Sequence, residues 1–511
     1  MSQSITLPKE IDLLIVGGGT SGAALAGIIA RDTDLQVVLL EAGPDYGPLS
    51  DGRWPSELLD ARRSPGTHGW GYRGLAHPSH YQVTDFDRAR VIGGCSSHNG
   101  CVALLGHRRD YDHWAELGNS GWSWPEVAPA FARAKQALRV RIPDPAELTP
   151  FQSGFVAGAE GAGIPRVADL NDPDDTAGVS PSPANIFEGT RWNTALAYLD
   201  PVRGRPNLTI VGNATVDRVE LRAGRAVAVE AFVDGSPIRI PARRIVLSSG
   251  AYGSPAILLR SGIGPADELT TLGIDPVHPL PGVGRALADH PAVELSYRSE
   301  ALDQEMRVFE ESNWLPDEQA LSKTRSSICR EAFDLHIYSV SGWDQSANAW
   351  KYNIFISSVT PQSAGTIKLA SRDPGTAPIL DHGFLSDIEG VDATVLADGV
   401  EIGLEIVAAS PLAGKLGIDA RLGSAHPSRA DISDFVTRTV GIYWHPACSC
   451  HMGPESDAEA VVDPTGKVHG LEGLYVCDAS IFPRIMRANT NLPAAMLSEH
   501  LAPAISRIGD R

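Results

Sequence analysis

Near its N-terminus the chain reads Ile11-Asp-Leu-Leu-Ile-Val16-Gly17-Gly18-Gly19-Thr20-Ser21-Gly22, and this stretch decides the fold class. The apolar run 11–16 predicts a buried strand, and the small residues from Ala23 to Ala30 predict a helix that packs closely on a sheet. A second apolar run, 36–40, ends at Glu41. Strand, glycine-rich turn, helix, strand and acid follow one another at the spacing of a dinucleotide-binding βαβ unit.

Each conspicuous residue of this unit has a physical role. Gly17 permits the tight turn, Gly19 lets the backbone approach a diphosphate, and Gly22 lets the helix pack on the strand. The helix N-terminus offers unpaired N–H groups and the positive end of its dipole to the phosphates. Glu41 can accept hydrogen bonds from ribose hydroxyls, and its charge disfavours a 2′-phosphate. At this point either FAD or NAD fits the pattern.

Size and charge restrict the class of protein. The length of 511 residues exceeds the roughly 250–300 residues at which one core stops growing, so we expect two domains or one with a large insertion. The formal charge of −19 disfavours nucleic acid and anionic membranes as partners. The six cysteines are sparse and favour a reducing compartment, and we expect no metal site. Neither a secretion signal nor a membrane span is evident, so the expected location is cytoplasmic.

A second glycine-rich stretch lies some way after the first. It reads Arg88-Ala-Arg-Val-Ile-Gly93-Gly94-Cys95-Ser96-Ser97-His98-Asn99-Gly100. Apolar residues flank it on both sides, which indicates an interior loop rather than a solvent loop. Its glycines and hydroxyl groups could surround a flavin ring and a diphosphate.

Both stretches, together with later ones, resemble the glucose–methanol–choline (GMC) oxidoreductase family. The later segments are Arg109-Asp110-Tyr111-Asp112-His113-Trp114, Ser249-Gly250-Ala251-Tyr252-Gly253-Ser254, Asp289-His290, Gly441-Ile-Tyr-Trp444-His445-Pro446, Val476-Cys-Asp478-Ala479-Ser480 and Asn489-Thr-Asn491-Leu-Pro493. They follow one another in family order over nearly the whole chain. Cys448-Ser449 departs from the Gly-Thr that is usual in the family, although serine keeps a hydroxyl group.

The resemblance implies an α/β fold, α+β overall, in which a Rossmann-like FAD-binding domain is interleaved with a substrate domain of antiparallel sheet backed by helices. The expected FAD-binding segments are 1–150, 200–290 and 455–511. The substrate domain is expected from 151–199 and 291–454. The segment from Glu300 to Ser326 is expected to be a loop that covers the pocket.

The family pattern also assigns site residues. His445 takes the position of the catalytic base, and Asn489 that of its partner beside the substrate oxygen. The expected FAD contacts are Gly17, Gly19, Thr20, Ser21, Gly22, Glu41, Ala42, Arg90, Gly93, Gly94, Ser97, His98, Asn99, Gly100, Val216, Asp478, Ala479 and Asn491. In members that oxidise choline, the histidine that corresponds to His98 is bonded to the flavin, which predicts a covalent link between FAD and His98. His336, Arg298 and Trp444 are the candidate substrate contacts.

The implied reaction is oxidation of an alcohol to the aldehyde by hydride transfer to flavin N5, with His445 as base. The charge of Arg298 argues against a cationic substrate. Similarity to members that oxidise 5-(hydroxymethyl)furfural favours a primary alcohol, with aromatic and heteroaromatic alcohols among the candidates. Molecular oxygen is the expected electron acceptor. A dehydrogenase that uses a quinone or another acceptor, and a flavoprotein of the hydroxynitrile lyase type, stay open as alternatives. A monomer or a homodimer is expected.

Overall fold

The computed structural model describes residues 7–80 and 83–507. The helices are, in chain order, α1 (Thr20–Asp32), α2 (Ser56–Leu59), α3 (Arg108–Glu116), α4 (Trp124–Ala137), α5 (Pro150–Gly161), α6 (Gly250–Arg260), α7 (Ala266–Thr271), α8 (Glu300–Glu310), α9 (Val391–Ala408), α10 (Arg429–Thr439) and α11 (Asn491–Ser506).

The strands are β1 (Leu13–Val16), β2 (Val37–Leu40), β3 (Arg73–Gly74), β4 (Thr84–Asp85), β5 (Gly178–Pro181), β6 (Ile186–Phe187), β7 (Thr190–Arg191), β8 (Leu208–Val211), β9 (Ala214–Arg222), β10 (Arg225–Val233), β11 (Ser236–Pro241), β12 (Arg244–Leu247), β13 (Ile263–Gly264), β14 (His278–Pro279), β15 (Pro291–Tyr297), β16 (Ala320–Thr324), β17 (Leu335–Asp344), β18 (Ala349–Ser358), β19 (Thr366–Lys368), β20 (Ile379–Asp381), β21 (Gly441–Ile442) and β22 (Leu474–Val476).

A parallel sheet carries the nucleotide-binding end of the molecule. Its strand order is β22-β12-β1-β2-β8, and every neighbouring pair is parallel. All four residues of β1 and of β2 are buried, as is typical of strands covered on both faces. Helix α1 packs beside α11, so the first and last helices of the chain lie together. Three distant stretches of sequence therefore build one sheet, and the predicted fold class is confirmed.

A second layer is antiparallel. The order β21-β15-β18-β17-β16-β5 forms a six-stranded sheet in which each neighbouring pair runs antiparallel. Helix α9 packs on β18, and α5 and α10 pack on α9. We propose that the two sheets mark the two domains, divided as the sequence predicts. Residues 1–6, 81–82 and 508–511 lie outside the described part of the chain.

One expectation was wrong in the local structure. The segment from Glu300 to Ser326 is not a loop throughout, because α8 and β16 lie within it. The α8 sequence has apolar residues at helical spacing, and Leu302 and Met306 are buried against the antiparallel sheet. Within the described residues, no helix is both long enough and apolar enough to cross a membrane. A cytoplasmic location stays a prediction.

Candidate functional site

The glycine turn after β1 forms an anion-binding helix terminus. Gly17 has a φ of +101°, and a Cβ there would lie 2.4 Å from the carbonyl oxygen of Ser248. A Cβ at Gly22 would lie 1.8 Å from the Gly17 oxygen, so only glycine allows α1 to start so close to the turn. The N-cap, Gly19, makes no side-chain hydrogen bond. The first N–H groups of α1 therefore have no capping side chain and can bind phosphate oxygens.

The second glycine-rich stretch lies directly on this turn. The Gly93 N–H donates to the Gly18 carbonyl at 2.7 Å. Gly94 has a φ of +52°, and a Cβ there would lie 2.5 Å from the Cα of Gly19. Ser97 donates its hydroxyl to a main-chain carbonyl within its own loop, which stabilises the short 3₁₀ turn. Two backbones that approach so closely form a narrow cradle without side chains.

Glu41 lies at the end of β2, beside that cradle. Its two carboxylate oxygens accept the N–H groups of Gly18 at 2.9 Å and Gly43 at 2.8 Å. Burial raises the pKa of Glu41 to about 7, against the effect of these two hydrogen bonds and of Arg90. Arg90 donates to the Ala42 carbonyl at 3.2 Å. The carboxylate fixes the turn, and its remaining lone pairs can still accept ribose hydroxyls.

The start of β9 continues this edge. The Ala214 N–H donates to the Glu41 carbonyl at 2.8 Å, and the Thr215 hydroxyl accepts from Arg90 at 3.5 Å. Val216 follows on the same strand and is 5% exposed. The structure thus brings Glu41, Arg90 and Val216 to one end of the cradle.

The C-terminal residues meet the cradle at the N-terminus of α11. Asn491 is the first residue of α11, and its Oδ1 accepts the Thr20 hydroxyl at 3.3 Å. The Asn491 Nδ2 is buried and has no partner among the described residues. Ser21 donates to the Ala494 carbonyl at 3.0 Å, which ties α1 to α11.

Asp478 and Ala479 lie just before that segment. The Asp478 carboxylate accepts from the Gly250 N–H at 2.9 Å, the Ser254 hydroxyl at 2.5 Å and the Ser480 N–H at 2.8 Å. The Ala479 carbonyl accepts a backbone N–H at 3.1 Å from the segment that contains His445. In this structure Asp478 ties α6 to the C-terminal segment.

The loop 98–100 extends the cradle towards the antiparallel sheet. The Nε2 of His98 lies 2.8 Å from the Thr67 carbonyl, which can only accept, so Nε2 carries the proton. Burial lowers the pKa of His98, which keeps the imidazole neutral with its lone pair on Nδ1. The buried Arg191 donates to the Asn99 carbonyl. Gly100 completes the loop.

Two histidines meet where the two layers join. Ala288 and Ala447 exchange both backbone hydrogen bonds, at 3.0 and 2.8 Å, and so bring His290 beside His445. The Nδ1 atoms of the two rings lie 3.0 Å apart, and the His290 Nε2 lies 3.0 Å from the Met486 carbonyl. Burial lowers the pKa of His290 to about 3, so the ring is neutral.

These contacts fix which nitrogen of each ring carries a proton. The His290 Nε2 must donate to the Met486 carbonyl, so its Nδ1 is an acceptor. His445 must then donate from Nδ1, which leaves a lone pair on its Nε2. Burial, followed by the nearby His290, lowers the pKa of His445 well below its usual value. His445 is therefore a neutral imidazole with a free acceptor nitrogen.

The backbone around His445 is held from two sides. The Asp289 carboxylate accepts the His445 N–H at 3.0 and 3.1 Å. Burial raises the pKa of Asp289 to about 7, although the hydrogen bond from the His445 N–H and the charge of Arg88 lower it. Arg88 donates to the Trp444 carbonyl at 2.8 Å. Trp444 has a φ of +60° and is 43% exposed, so the structure places its side chain at the surface beside His445.

Tyr443 joins the remaining candidate residues. The centroid of its ring lies 4.3 Å from that of the His445 ring and 6.4 Å from that of the His336 ring. The Asn489 side chain lies beside the Tyr443 hydroxyl, and the Asn489 Oδ1 is buried without a partner in the described structure. Both ring nitrogens of His336 are likewise buried and unpaired there. Unpaired buried polar atoms are costly in a folded protein, and they indicate a binding site here.

Arg298 does not reach this site. Its guanidinium pairs with Asp344 at the far end of β17 and also donates to the carbonyl oxygens of Ala349 and Trp350. His336 lies at the other end of β17, eight residues away, which is about 26 Å along a strand. Counting residues after Asp289 could not show where the Arg298 side chain lies, because strand register cannot be read from residue spacing alone.

Sequence reasoning missed four residues of this region. His290 and Tyr443 lie in family motifs, but no role was predicted for them. Arg191 lies outside every recognised motif. Glu318 was also missed: a Cβ at Gly100 would lie 1.4 Å from its Oε1, so its carboxylate occupies the space beside that glycine. The signal for Glu318 was weak, because it is one acid in a segment without recognisable pattern.

The residues present fit a flavin dinucleotide. The uncapped N-terminus of α1 and the backbone cradle at Gly19 and Gly94 suit a diphosphate, and Glu41 suits a ribose. The buried, unpaired Nδ2 of Asn491 can donate to a polar ring edge. The N-terminus of α11 adds a positive dipole end at the same place.

Comparison with known proteins agrees with this geometry. A profile described as GMC oxidoreductase matches residues 11–292, and a second profile with that description matches residues 361–498. The chain belongs to the GMC oxidoreductase family. As a family member it is an FAD-dependent oxidoreductase that acts on CH–OH groups of small molecules.

Relatives cover the GMC chain almost from end to end. The oxygen-dependent choline dehydrogenase of Stenotrophomonas maltophilia (strain K279a) is 33% identical over 97% of this chain and 95% of its own. That of Paraburkholderia phymatum is 35% identical over 97% and 92%. Among solved structures, pyridoxine 4-oxidase from Mesorbium loti has a TM-score of 0.86 at 26% identity, and covers 97% of this chain and 99% of its own.

Proposed function

We propose that the protein oxidises a primary alcohol to the aldehyde, that His445 takes the hydroxyl proton, and that molecular oxygen finally accepts the electrons. The observation that carries this proposal is the 3.0 Å contact between the Nδ1 atoms of His290 and His445. It leaves the lone pair of the His445 Nε2 free for a proton. An alcohol carbon gives up a hydride readily only as its O–H proton leaves.

The protein's own residues have distinct parts in this reaction. The neutral His445 accepts the proton at Nε2, and His290 holds the ring in the tautomer that makes this possible. The amide of Asn489, whose Oδ1 is unpaired in the described structure, hydrogen-bonds the substrate hydroxyl and orients its carbon. Bound FAD supplies the two-electron acceptor for the hydride.

The names of the relatives support the choice of substrate and acceptor. Two curated relatives at 33% and 35% identity are called oxygen-dependent choline dehydrogenases, and one similar solved structure is a pyridoxine 4-oxidase. The rings of Tyr338 and Tyr443 stack with centroids 5.2 Å apart beside His445, which suits an aromatic or heteroaromatic alcohol.

The test is anaerobic reduction of the flavin by a panel of primary alcohols. The loss of the flavin's visible absorbance measures the reduction. Loss of the base in His445→Ala should slow reduction about 10²- to 10⁴-fold while FAD stays bound. His451→Ala is the matched control, because His451 lies in the same segment but contacts Asp457 instead. A flavin that no alcohol bleaches, or that His445→Ala bleaches at the normal rate, contradicts the proposal.

Oxygen as acceptor is tested separately. Peroxide formed in a one-to-one ratio with aldehyde supports an oxidase. Aldehyde formation that needs an added quinone and produces no peroxide supports the dehydrogenase alternative.

We further propose a covalent bond between the FAD 8α-methyl carbon and His98. The support is the neutral state of His98 and its unoccupied Nδ1 lone pair. The new N–C bond would replace one C–H bond of the methyl group; that hydrogen and the imidazole N–H would leave as protons, and oxygen would take up both protons and the two electrons as hydrogen peroxide. After acid precipitation the yellow colour should stay in the pellet, and in His98→Ala it should move to the supernatant. Colour in the wild-type supernatant contradicts the linkage.

A further inference from the structure

A buried arginine joins two segments that lie on either side of His98. Arg191 belongs to the short strand β7 and is 0% exposed. Its Nη1 donates to the Asn99 carbonyl. Its Nε and Nη2 donate to three carbonyls of segment 58–63. These are the carbonyls of Leu58, Asp60 and Arg63, at 3.2, 2.8 and 2.7 Å. One guanidinium therefore connects segment 58–63 with the loop that contains His98.

Both connected segments hold His98, one at its ring and the other at its backbone. Segment 58–63 continues to Thr67, whose carbonyl lies 2.8 Å from the His98 Nε2 and accepts its proton. On the other side Asn99 follows His98 in the chain, so the bond from Arg191 to its carbonyl fixes the backbone next to the imidazole. The direction of the lone pair on the His98 Nδ1 therefore depends on both attachments.

Arg191 makes no ion pair within residues 7–80 and 83–507, since no carboxylate oxygen there lies within 4.0 Å of its guanidinium. Besides the carbonyls it contacts only the Cys101 sulfur, at 3.6 Å, and burial raises the pKa of that thiol to about 11. A buried charge without a charged partner costs stability. The useful property of this side chain is its planar fork of donors, which binds several carbonyl groups at once and which lysine cannot replace.

We propose that Arg191 is a positioning residue for the attachment of FAD, because it joins the two segments that direct the His98 Nδ1 towards the flavin 8α-methyl carbon. This inference rests on the proposed covalent bond. In that step the N–C bond forms as one methyl C–H bond breaks, and oxygen takes up two electrons and two protons as hydrogen peroxide. The cradle at Gly94 and the contacts of Glu41 are formed without Arg191. Binding of FAD and its attachment should therefore be separable.

The experiment measures bound and attached FAD separately. The visible absorbance of the native holoenzyme gives the bound FAD, and the colour that stays in the pellet after acid precipitation gives the attached part. In Arg191→Met the bound FAD should stay near the wild-type level. The attached part should fall at least about tenfold after equal exposure to oxygen, since a displacement of about 1 Å can slow a positioned reaction about 10²-fold.

Two further variants separate the geometry of the guanidinium from its charge. Arg191→Lys keeps the charge but cannot donate to the carbonyls of both segments at once, so its attached fraction should stay well below that of the wild type. Arg421→Met is the matched control. It removes a guanidinium that donates to another main-chain carbonyl, that of Glu294, and it should keep full attachment.

A double-mutant cycle tests whether Arg191 acts through His98 alone. His98→Ala binds FAD without attachment, so adding Arg191→Met to it should change neither the bound FAD nor the rate of anaerobic flavin reduction by a primary alcohol. A further loss in the double variant contradicts the inference, because Arg191 would then act on the cofactor site by another route.

The inference is also overturned if Arg191→Met attaches FAD as the wild type does, or if Arg191→Lys does so, because charge alone would then be sufficient. Bound and attached FAD that fall in parallel would overturn it as well, since the guanidinium would then support the fold rather than His98. If Arg191→Met does not fold, Arg191→Lys decides by the same measurement. Yellow colour in the wild-type supernatant refutes the covalent bond itself, which is a distinguishable result.

Discussion

Replacing His290 by phenylalanine removes the acceptor that fixes the tautomer of His445. The ring keeps its approximate volume beside Tyr443, but the acceptor Nδ1 disappears. The His445 Nδ1–H then stays buried without an acceptor, which costs about 1–3 kcal/mol. Since about 1.4 kcal/mol corresponds to a factor of ten, the rate of flavin reduction should fall about 5- to 150-fold.

Two comparisons make this prediction specific. The loss must be smaller than that of His445→Ala, because the imidazole itself remains. His290→Gln should recover part of the rate, since an amide can both accept from His445 and donate to the Met486 carbonyl, as His290 does. His382→Phe is the matched control: it removes another buried imidazole, one that contacts the Tyr252 hydroxyl at 2.8 Å.

The assay is stopped-flow measurement of flavin bleaching under anaerobic conditions, with saturating alcohol and with variants of equal FAD content. Rates for His290→Phe that equal those of the wild type would refute the tautomer argument. Equal losses in His290→Phe and His382→Phe would do so as well, because the effect would then come from disturbed packing.

The remaining predictions concern pH and cofactor loading. Because the pKa of His445 is lowered, the pH at which the rate of flavin reduction by a neutral alcohol falls off should lie below the ordinary histidine pKa of about 6.5. The rate falls as the pH falls, because the ring is then protonated. A fall-off above about pH 6.5 would speak against His445 as the base. Gly94→Ala should be purified largely without FAD, since its Cβ would lie 2.5 Å from the Gly19 Cα. Gly52→Ala is the matched control: Gly52 also has a positive φ, of +65°, but nothing lies within 4 Å of a Cβ there, so this variant should load FAD normally. If both variants lose FAD, the effect comes from backbone strain of about 1–2 kcal/mol rather than from the cradle.

The sequence predicted most reliably what is local. The turn at Gly17, α1 and the acid at Glu41 depend on residues that are close together in the chain, so spacing alone was sufficient. The contact between His290 and His445 joins residues 155 positions apart, and the backbone pairing of Ala288 with Ala447 that creates it leaves no mark in composition. Their motifs could be recognised, but the proton positions required the geometry.

Register was the main obstacle elsewhere. Counting residues past Asp289 suggested Arg298 as a substrate contact, whereas the antiparallel pairing directs it to the outer end of the sheet. Glu318 could not be singled out, because only the packing of distant segments places its carboxylate in the open position beside Gly100. Both are properties of packing rather than of sequence.

The parallel sheet also has a consequence for biosynthesis. Its edge strand β22 and the helix α11, which binds Ser21 through the Ala494 carbonyl, come from the end of the chain. Chains are made from the N-terminus, so the first βαβ unit leaves the ribosome long before the strand and helix that complete it. The FAD site is therefore complete only when translation is nearly finished, and a chain cut short after the antiparallel domain would have the first glycine turn but would lack Asn491 and the N-terminus of α11.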